Sequence, residues 1–330
     1  MIDFILLQQI IENNNSFLLT THVNPDADAI GSEIAFYLIL KKLNKKIRIV
    51  NHSSTPYNLK FLDTENVIEK YNPETHKNIF TEADIIVALD FNRSDRTVSM
   101  RNEFVNSKKI KICIDHHQQP EKIFDHYFVD TEYSATGHIL YEFIKNTNIV
   151  NLSKEIAEPI YAAIMTDTGS FRFERTTPEL HIIISDILTA GVNPGDIYDK
   201  IFDQSKFSKI RLLGKALDSL QLYGTSKQIG YMLLTQKDFQ TLDAFESDTD
   251  GFVNYSLSIE NVVIGILFIE LKEGFKVSFR SKGKIPVNKL AGEYGGGGHT
   301  NAAGARNING NLYDSIPVIL KKAEKYLNII

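Results

Sequence analysis

Residues 16–32 read SFLLTTHVNPDADAIGS, and this stretch sets the expected architecture of the chain. Residues 16–21 form a short, almost wholly apolar run, which is typical of a buried parallel strand. From Asp28 to residue 43 the pattern predicts a helix. The turn between strand and helix contains His22 and Asp26. These side chains are therefore expected at the carboxyl end of a strand, where sheets of this kind bind their ligands.

Strand and helix patterns continue to alternate through the first half of the chain. This alternation predicts the α/β class, with a doubly wound parallel sheet. The further strands are expected at residues 46–51, 83–89 and 109–114, and the further helices at residues 3–13, 134–143 and 154–165.

The pattern changes after about residue 190. Residues 178–223 are helical and amphipathic, with an interruption, GVNPG, at residues 191–195. Short strand patterns follow at residues 228–235, 261–271 and 274–280. We therefore predict a catalytic domain at residues 1–190, a helical connector at 191–224, and a smaller α+β domain with a mixed sheet at 225–330.

Composition restricts the classes of function. A net charge of −5 gives the chain no global attraction for long nucleic acids. The single cysteine, Cys113, excludes a disulfide within the chain and favours a reducing compartment. The N-terminal segment lacks the basic region of a signal peptide, and no apolar run is long enough to cross a bilayer. A cytoplasmic location and no membrane partner are expected.

Acidic and histidine side chains follow the predicted elements closely. Asp90 comes directly after one predicted strand, and Asp115, His116 and His117 come after the next. Asp167 ends a predicted helix. Because the carboxyl ends of parallel strands meet at one edge of the sheet, these side chains are expected to converge with those of the first turn.

The donor types in this set indicate a metal site. Asp and His together suit Mn²⁺, with Mg²⁺, Co²⁺ or Zn²⁺ as substitutes, and the set contains no cysteine that would indicate structural zinc. One ion would leave too many carboxylates unpaired, whereas two ions roughly 3.5–4 Å apart would neutralise them. Asp90 could bridge both ions. Each acidic residue alone has a structural alternative as a helix cap or turn residue, so the prediction rests on the set.

These residues resemble a known family. The motif H-x-x-P-D-x-D-x-x-G-S at residues 22–32, together with Asp90, the DHH triplet at residues 115–117 and Asp167, is similar to the DHH phosphoesterase superfamily. Residues 295–304, GGGGHTNAAG, resemble the DHH-associated domain of the nano-RNase/pAp-phosphatase branch, which is related to RecJ. Family-II inorganic pyrophosphatases share the first motifs but carry a different C-terminal domain, so the glycine run disfavours that alternative.

The resemblance implies a role for each residue of the set. The first ion would be bound by His22, Asp26 and Asp90. The second ion would be bound by Asp28, Asp90, His116 and Asp167. In the catalytic roles, Asp115 would fix the imidazole beside it, and His117 would face the scissile phosphate, either binding a phosphoryl oxygen or protonating the leaving group.

The C-terminal domain is expected to bind the substrate. Residues 274–289 contain five basic and no acidic side chains, and Arg280 and Ser281 at a strand end would bind a phosphate. The backbone amides of Gly296, Gly297 and Gly298, with His299, would cradle a phosphate or base, and a helix is expected to begin in the small residues that follow. The plainer alternatives are a solvated hairpin for the basic run and a flexible loop for the glycines.

The expected function is that of a manganese-dependent phosphoesterase. It would act as a 3′–5′ exonuclease on RNA of two to five nucleotides and as a phosphatase on the 3′-phosphate of pAp. Hydrolysis of linear pApA or of cyclic di-AMP is the close alternative, and a non-catalytic nucleotide sensor is the alternative from another class. The resemblance also implies a homodimer.

Overall fold

The computed structural model describes residues 2–307 and 310–327. The chain divides into two compact units, Met1–Gln204 and Ser205–Ile330. The boundary lies within the predicted connector, which contains the last helix of the first unit and the first helix and strand of the second. No helix in the described part of the chain is both long and apolar enough to span a membrane.

A six-stranded parallel sheet forms the centre of the first unit. Its strands are β1 (Ser16–Thr20), β2 (Lys46–Asn51), β3 (Ile68–Lys70), β4 (Ile85–Leu89), β5 (Ile110–Asp115) and β6 (His126–Val129). The strand order is β3-β2-β1-β4-β5-β6, and every neighbouring pair is parallel. This sheet, with helices between its strands, confirms the predicted α/β class. The two short edge strands, β3 and β6, were not predicted.

Eight α-helices are described in the first unit. They are α1 (Phe4–Asn13), α2 (Ala27–Lys42), α3 (Ile79–Glu82), α4 (Arg101–Asn106), α5 (Thr136–Thr147), α6 (Lys154–Asp167), α7 (Pro178–Thr189) and α8 (Pro194–Phe202). Helix α2 begins at the predicted turn because Asp26 caps it: its Oδ1 accepts hydrogen bonds from the amides of Asp28 and Ala29, at 3.1 and 3.0 Å.

Small residues allow α2, α5 and α6 to pack closely. A Cβ added at Gly31 of α2 would lie 2.4 Å from the carbonyl oxygen of Pro159 in α6. A Cβ added at Gly137 of α5 would lie 2.5 Å from the Cβ of Ala163, also in α6. Real Cβ atoms do not approach so closely, so both positions require glycine. This contact brings the first turns of α2 and α5 close to the last turn of α6.

The second unit contains a mixed six-stranded sheet in the order β11-β12-β10-β9-β8-β7. Its strands are β7 (Gln221–Tyr223), β8 (Ile229–Leu234), β9 (Ile264–Glu270), β10 (Phe275–Ser281), β11 (Gly297–His299) and β12 (Ala302–Asn307), and its described helices are α9 (Phe207–Asp218), α10 (Gln236–Leu242), α11 (Asn254–Leu257), α12 (Val287–Gly292) and α13 (Leu312–Tyr326). Strands β8 and β9 are parallel, and the other pairs are antiparallel.

The prediction of a helix after the glycine run is wrong. Residues 302–307 form strand β12, which pairs with β10 on one side and β11 on the other. Ala303 and Ala305 are buried in the core of this unit, whereas the residues between and after them are more exposed. The alternation of two that a strand requires was therefore present, but in residues too small to give a clear apolar pattern.

Candidate metal centre

The predicted acidic and histidine residues of the first unit lie at the carboxyl edge of its sheet. Strand order reverses between β1 and β4, because the chain leaves β1 toward β2 and leaves β4 toward β5. Such a reversal opens a crevice at the ends of the two central strands. His22 comes two residues after β1, Asp90 directly after β4, and Asp115 is the last residue of β5. The fold therefore accounts for the convergence of the set.

One group of possible ligands is formed by His22, Asp26 and Asp90. The Nε2 atom of His22 lies 3.3 Å from Asp90 Oδ2 and 4.0 Å from Asp26 Oδ2. The other ring nitrogen, Nδ1, lies 2.9 Å from the carbonyl oxygen of Val23, to which its N–H donates a hydrogen bond. Nε2 is then unprotonated and its lone pair is available, which is the state in which an imidazole binds a metal. Burial lowers the pKa of His22 and favours this neutral form.

A second group is centred on His116. Its Nε2 atom lies 3.3 Å from Asp167 Oδ2, 3.5 Å from Asp28 Oδ2 and 3.6 Å from Asp90 Oδ1. Burial lowers the pKa of this imidazole as well, and its ring is hydrogen-bonded to the backbone of Tyr133. That bond fixes the orientation of the ring, as is usual for histidines that bind metals.

Asp90 joins the two groups. Its Oδ2 faces His22 and its Oδ1 faces His116, so one carboxylate contributes an oxygen to each group. The residue has a left-handed backbone with φ of +63°, a conformation that Asp and Asn adopt more readily than other non-glycine residues. Burial, followed by the charges of Asp28 and the neighbouring carboxylates, raises the pKa of Asp90 well above its usual range.

The residues present fit divalent cations. The buried Nε2 of His116 has no hydrogen-bond partner among the described residues, although three carboxylate oxygens surround it. Burial and the charge of Asp28 raise the pKa of Asp167 to about 8. Carboxylates held this close together repel one another unless protons or cations neutralise them. One donor atom each from His22, Asp26 and Asp90 lie within 4.8 Å of one another, and so do one each from Asp28, His116 and Asp167, so a single ion could contact all three donors of either set.

The first turn of helix α5 holds Asp28 in place. The amide of Thr136 donates to Asp28 Oδ2 at 2.8 Å, and the amide of Gly137 donates to Oδ1 at 3.0 Å. The hydroxyl of Ser32 donates to the same Oδ1 at 3.0 Å. A carboxylate at a helix N-terminus is stabilised by unpaired amides and by the helix dipole. Asp28 is thus oriented by protein donors and faces His116.

The hydroxyl of Thr136 donates to Asp90 Oδ1 at 2.9 Å. This contact with a metal ligand was not predicted from sequence. The only local signal was the start of a helix, since the contact depends on how α5 packs beside β4.

We predict that Thr136→Val weakens metal binding by about 10- to 100-fold, the usual range for residues that orient metal ligands. The change preserves the size of the side chain but removes the donor to Asp90. Calorimetric titration with Mn²⁺ measures the effect, and Thr136→Ser, which retains the hydroxyl, is the matched control. Unchanged affinity in the valine variant would contradict the prediction.

His117 and Asp115 form a pair beside the two groups. His117 Nδ1 lies 2.7 Å from Asp115 Oδ1, and Asp115 is fully buried. Burial opposes protonation of His117, but the hydrogen bond to Asp115 and the nearby negative charge outweigh it, so the pKa of His117 is raised. The side-chain amide of Asn92 donates to the carbonyl oxygen of His117 at 2.9 Å and holds its backbone. Sequence reasoning had not identified Asn92.

In the second unit, Arg280 and Ser281 end strand β10, as predicted. The Ser281 hydroxyl donates to the carbonyl oxygen of Ile285 at 2.7 Å and accepts from Asn301 at 2.9 Å, so it stabilises the turn that follows the strand. Arg280 is half-buried and donates to the carbonyl oxygen of Phe279 at 3.0 Å. Lys276 of the basic run forms an ion pair with Glu246 at 3.2 Å.

The glycine run forms the edge of the second sheet. Gly296 and Gly298 lie against β12, where an added Cβ would come within 2.1 and 2.4 Å of carbonyl oxygens. An added Cβ at Gly297 would meet no atom within 4 Å, and His299 is exposed. Of the three glycines predicted to bind substrate, Gly296 and Gly298 are therefore explained by close packing against β12, whereas Gly297 has no steric reason to be glycine.

Comparison with known families agrees with this arrangement. The DHH family, N-terminal domain, matches residues 16–164, and the DHHA1 domain matches residues 238–328. The chain belongs to the DHH family. The matched C-terminal domain confirms the predicted DHH-associated domain.

Named relatives place the chain more narrowly. It is 34% identical to the bifunctional oligoribonuclease and PAP phosphatase NrnA of Thermus thermophilus, over 87% of this chain and 82% of the relative. It is 27% identical to the protein of the same name from Bacillus subtilis, over 88% and 89% of the two chains. A crystal structure of an exopolyphosphatase-related protein from Bacteroides fragilis superposes with a TM-score of 0.92, at 33% identity over 98% of this chain and 96% of the other. These relatives confirm the branch that the sequence motifs indicated.

Proposed function

We propose that this protein is a two-metal phosphoesterase that hydrolyses very short RNA and the 3′-phosphate of pAp. The observation that carries the proposal is the position of Asp90, whose two oxygens lie 3.3 Å from His22 Nε2 and 3.6 Å from His116 Nε2. A carboxylate shared by two groups of N and O donors is the arrangement that a pair of divalent ions requires. The printed names of the relatives supply the substrate class.

Manganese is the proposed metal, with Mg²⁺ and Co²⁺ as alternatives. The first ion would be held by His22, Asp26 and Asp90, and the second by Asp28, Asp90, His116 and Asp167. Mixed imidazole and carboxylate donors favour Mn²⁺ over Ca²⁺, which prefers oxygen ligands alone.

When bound, such an ion pair supplies an activated water for in-line attack and neutralises charge on the phosphoryl oxygens. The protein's own residues orient these partners. Thr136 and the first turn of α5 fix the carboxylates of Asp90 and Asp28 before the substrate arrives. Asp115 fixes the ring of His117 and favours its protonated form. We propose that protonated His117 donates a hydrogen bond to a phosphoryl oxygen or a proton to the leaving group.

We further propose that Arg280 and Ser281 bind a substrate phosphate, and that Gly296, Gly297, Gly298 and His299 bind a phosphate or base. Within this set, substrate binding is best supported for Arg280 and for the unhindered backbone at Gly297. The guanidinium can pair with two phosphate oxygens at once. The Ser281 hydroxyl already donates within its turn and the Ser281 amide donates to the carbonyl oxygen of Asn301 at 3.0 Å, so its contribution would come from shaping that turn.

We predict that Arg280→Ala raises KM for pAp by about 10- to 100-fold, the value of one charged hydrogen-bonding group. The value of kcat should change much less, because the metal ligands are not altered. Steady-state kinetics measure both constants. Lys284→Ala, an exposed cation in the same basic run, is the matched control. An equal rise in KM in the two variants would favour a general charge effect over a specific site.

The central experiment is product analysis of the purified protein with Mn²⁺, Mg²⁺ or Co²⁺. The substrates are pApA, pAp, cyclic di-AMP, a long single-stranded RNA and inorganic polyphosphate. The last is included because a similar structure is described as exopolyphosphatase-related. Release of AMP from pApA and of phosphate from pAp, with little product from the long RNA, would support the proposal.

The other outcomes separate the alternatives. Preferential turnover of cyclic di-AMP or polyphosphate would move the function to second-messenger or polyphosphate hydrolysis at the same metal centre. No turnover of any substrate by a protein loaded with two ions would favour the nucleotide-sensor alternative. A homodimer and a cytoplasmic location remain predictions, which gel filtration and cell fractionation can test.

A further inference from the structure

One fully buried carboxyl group, that of Glu33 in helix α2, belongs to neither ligand group. Its Oε2 accepts a hydrogen bond of 2.7 Å from the side-chain amide of Asn51, the last residue of β2. Its Oε1 has no hydrogen-bond partner among the described residues.

Asn51 connects Glu33 to the neighbouring strand β1 by hydrogen bonds. Its Oδ1 accepts hydrogen bonds from the amide of Thr21 at 3.0 Å and from the hydroxyl of Thr20 at 3.4 Å. The hydroxyl of Thr21 donates to the carbonyl oxygen of Leu89 at 2.8 Å. The residues whose side chains take part, Glu33, Asn51, Thr20 and Thr21, are all fully buried.

The positions of these bonds connect them to the metal centre. Thr21 is the residue before His22, and Leu89 is the residue before Asp90. The chain of hydrogen bonds therefore runs from α2 through the end of β2 to the ends of β1 and β4. It ties together the two backbone segments that present the first ligand group.

The burial of the Glu33 carboxyl group favours its neutral form. Burial raises its pKa to about 8, partly opposed by the hydrogen bond from Asn51, and the charge of Asp63 adds to the rise. Among the described residues, Asp63 is the charged group that acts on Glu33, and its carboxylate oxygens accept hydrogen bonds from the amides of Val67 and Ile68. A neutral carboxyl can accept from Asn51 without placing an uncompensated charge in the core.

We propose that Glu33 is a positioning residue of the metal centre, which accepts a hydrogen bond from the amide of Asn51 and so fixes the segments carrying His22 and Asp90. The inference rests on the proposed function, since it assumes that these two residues bind an ion. Without the acceptor, the amide of Asn51 would be buried with no partner and would no longer be held in the orientation that accepts from Thr21.

The test compares Glu33→Gln with Glu33→Leu. Glutamine keeps a neutral acceptor of the same shape, whereas leucine fills similar space without one. We expect Glu33→Leu to weaken one of the two Mn²⁺ binding events by about tenfold or more, as for other residues that orient ligands, and Glu33→Gln to bind both ions nearly as the wild type does. Ile39→Val, a mild change in the core on the same helix, is the control for packing.

Calorimetric titration with Mn²⁺ at pH 7 gives the answer. Wild-type affinity in Glu33→Leu, or an equal loss in Glu33→Leu and Glu33→Gln, would overturn the proposal. If Glu33→Leu does not fold, Thr21→Val breaks the same chain of bonds at the Leu89 carbonyl with no change in size, and should weaken the same binding event. Normal binding in that variant would overturn the proposal equally.

A second readout tests the neutral state of Glu33. The folded protein holds a proton that the unfolded chain releases near pH 4.5, so stability from this group is full below that pH and is lost as the pH rises toward about 8. The melting temperature of Glu33→Gln should therefore rise relative to wild type between pH 5 and pH 8. A constant difference would contradict a neutral carboxyl group.

Both readouts are independent of the substrate. A protein that binds two ions but hydrolyses none of the candidate substrates would fail the proposed function and leave this inference standing. If the wild-type protein hydrolyses these substrates and Glu33→Leu binds Mn²⁺ as the wild type does, the proposed function stands and this inference fails.

Discussion

Asp90→Ala is expected to abolish binding of both ions and to lower hydrolysis of pApA by about 10³-fold or more. The loss of a single stabilising group in an active site already costs about 10² to 10³, and Asp90 contributes an oxygen to each ligand group. With both ions absent, no other group in the set can replace the charge that they supply. Metal content after dialysis and initial rates with Mn²⁺ measure the two effects.

Asp95→Ala is the matched control for that variant. Asp95 lies five residues further along the chain, is exposed, and forms an ion pair with Arg93 at 3.4 Å. Its removal should leave metal content and rate unchanged. If Asp90→Ala kept one tightly bound ion and more than a tenth of the wild-type rate, the shared carboxylate would not be the centre of the site.

Gly31→Ala is expected to destabilise the fold by about 3 kcal/mol, the upper part of the range for overpacked cores. The added methyl group would lie 2.4 Å from the carbonyl oxygen of Pro159, an atom that cannot move without displacing α6. The melting temperature should fall by about 6 to 12 °C. Because α2 carries Asp28 and α6 ends at Asp167, the separation of these helices should also weaken the second ligand group.

Gly214→Ala, in helix α9, is expected to increase the stability of the fold. An added Cβ there meets no atom within 4 Å, so the greater helix propensity of alanine is not offset by a clash. It should stabilise the protein by about 0.5 to 1 kcal/mol. Thermal unfolding of the two variants beside the wild type gives both values. A Gly31→Ala protein as stable as the wild type would show that α2 and α6 pack less tightly than described.

The core of the metal centre was predictable from sequence because its signals are local. An apolar strand followed by Asp or His reveals both the element and the edge of the sheet at which the side chain emerges. The ends of β1, β4 and β5 were located in this way to within a residue or two. The edge strands β3 and β6 were not, since IEK and HYFV are short and mix polar with apolar residues.

Contacts between elements were not predictable in the same way. Thr136 reaches Asp90, and Glu33 reaches Thr21 through Asn51, only because helices pack beside particular strands. A single sequence carries no signal for such pairs. Glu33 illustrates the problem: it follows the ligand motif directly, yet whether it is buried depends on the end of β2.

The left-handed backbone at Asp90 limits how this family member could change over time. A side chain in that conformation is restricted to Asp, Asn or glycine at low cost, so glutamate cannot take over the bridging role by lengthening the side chain. Asparagine, however, fits the backbone, retains the hydrogen bond from Thr136, and differs from aspartate by one nucleotide in the codon. A descendant whose shared metal ligand has lost its charge is therefore a single mutation away, and the backbone would accommodate it without strain.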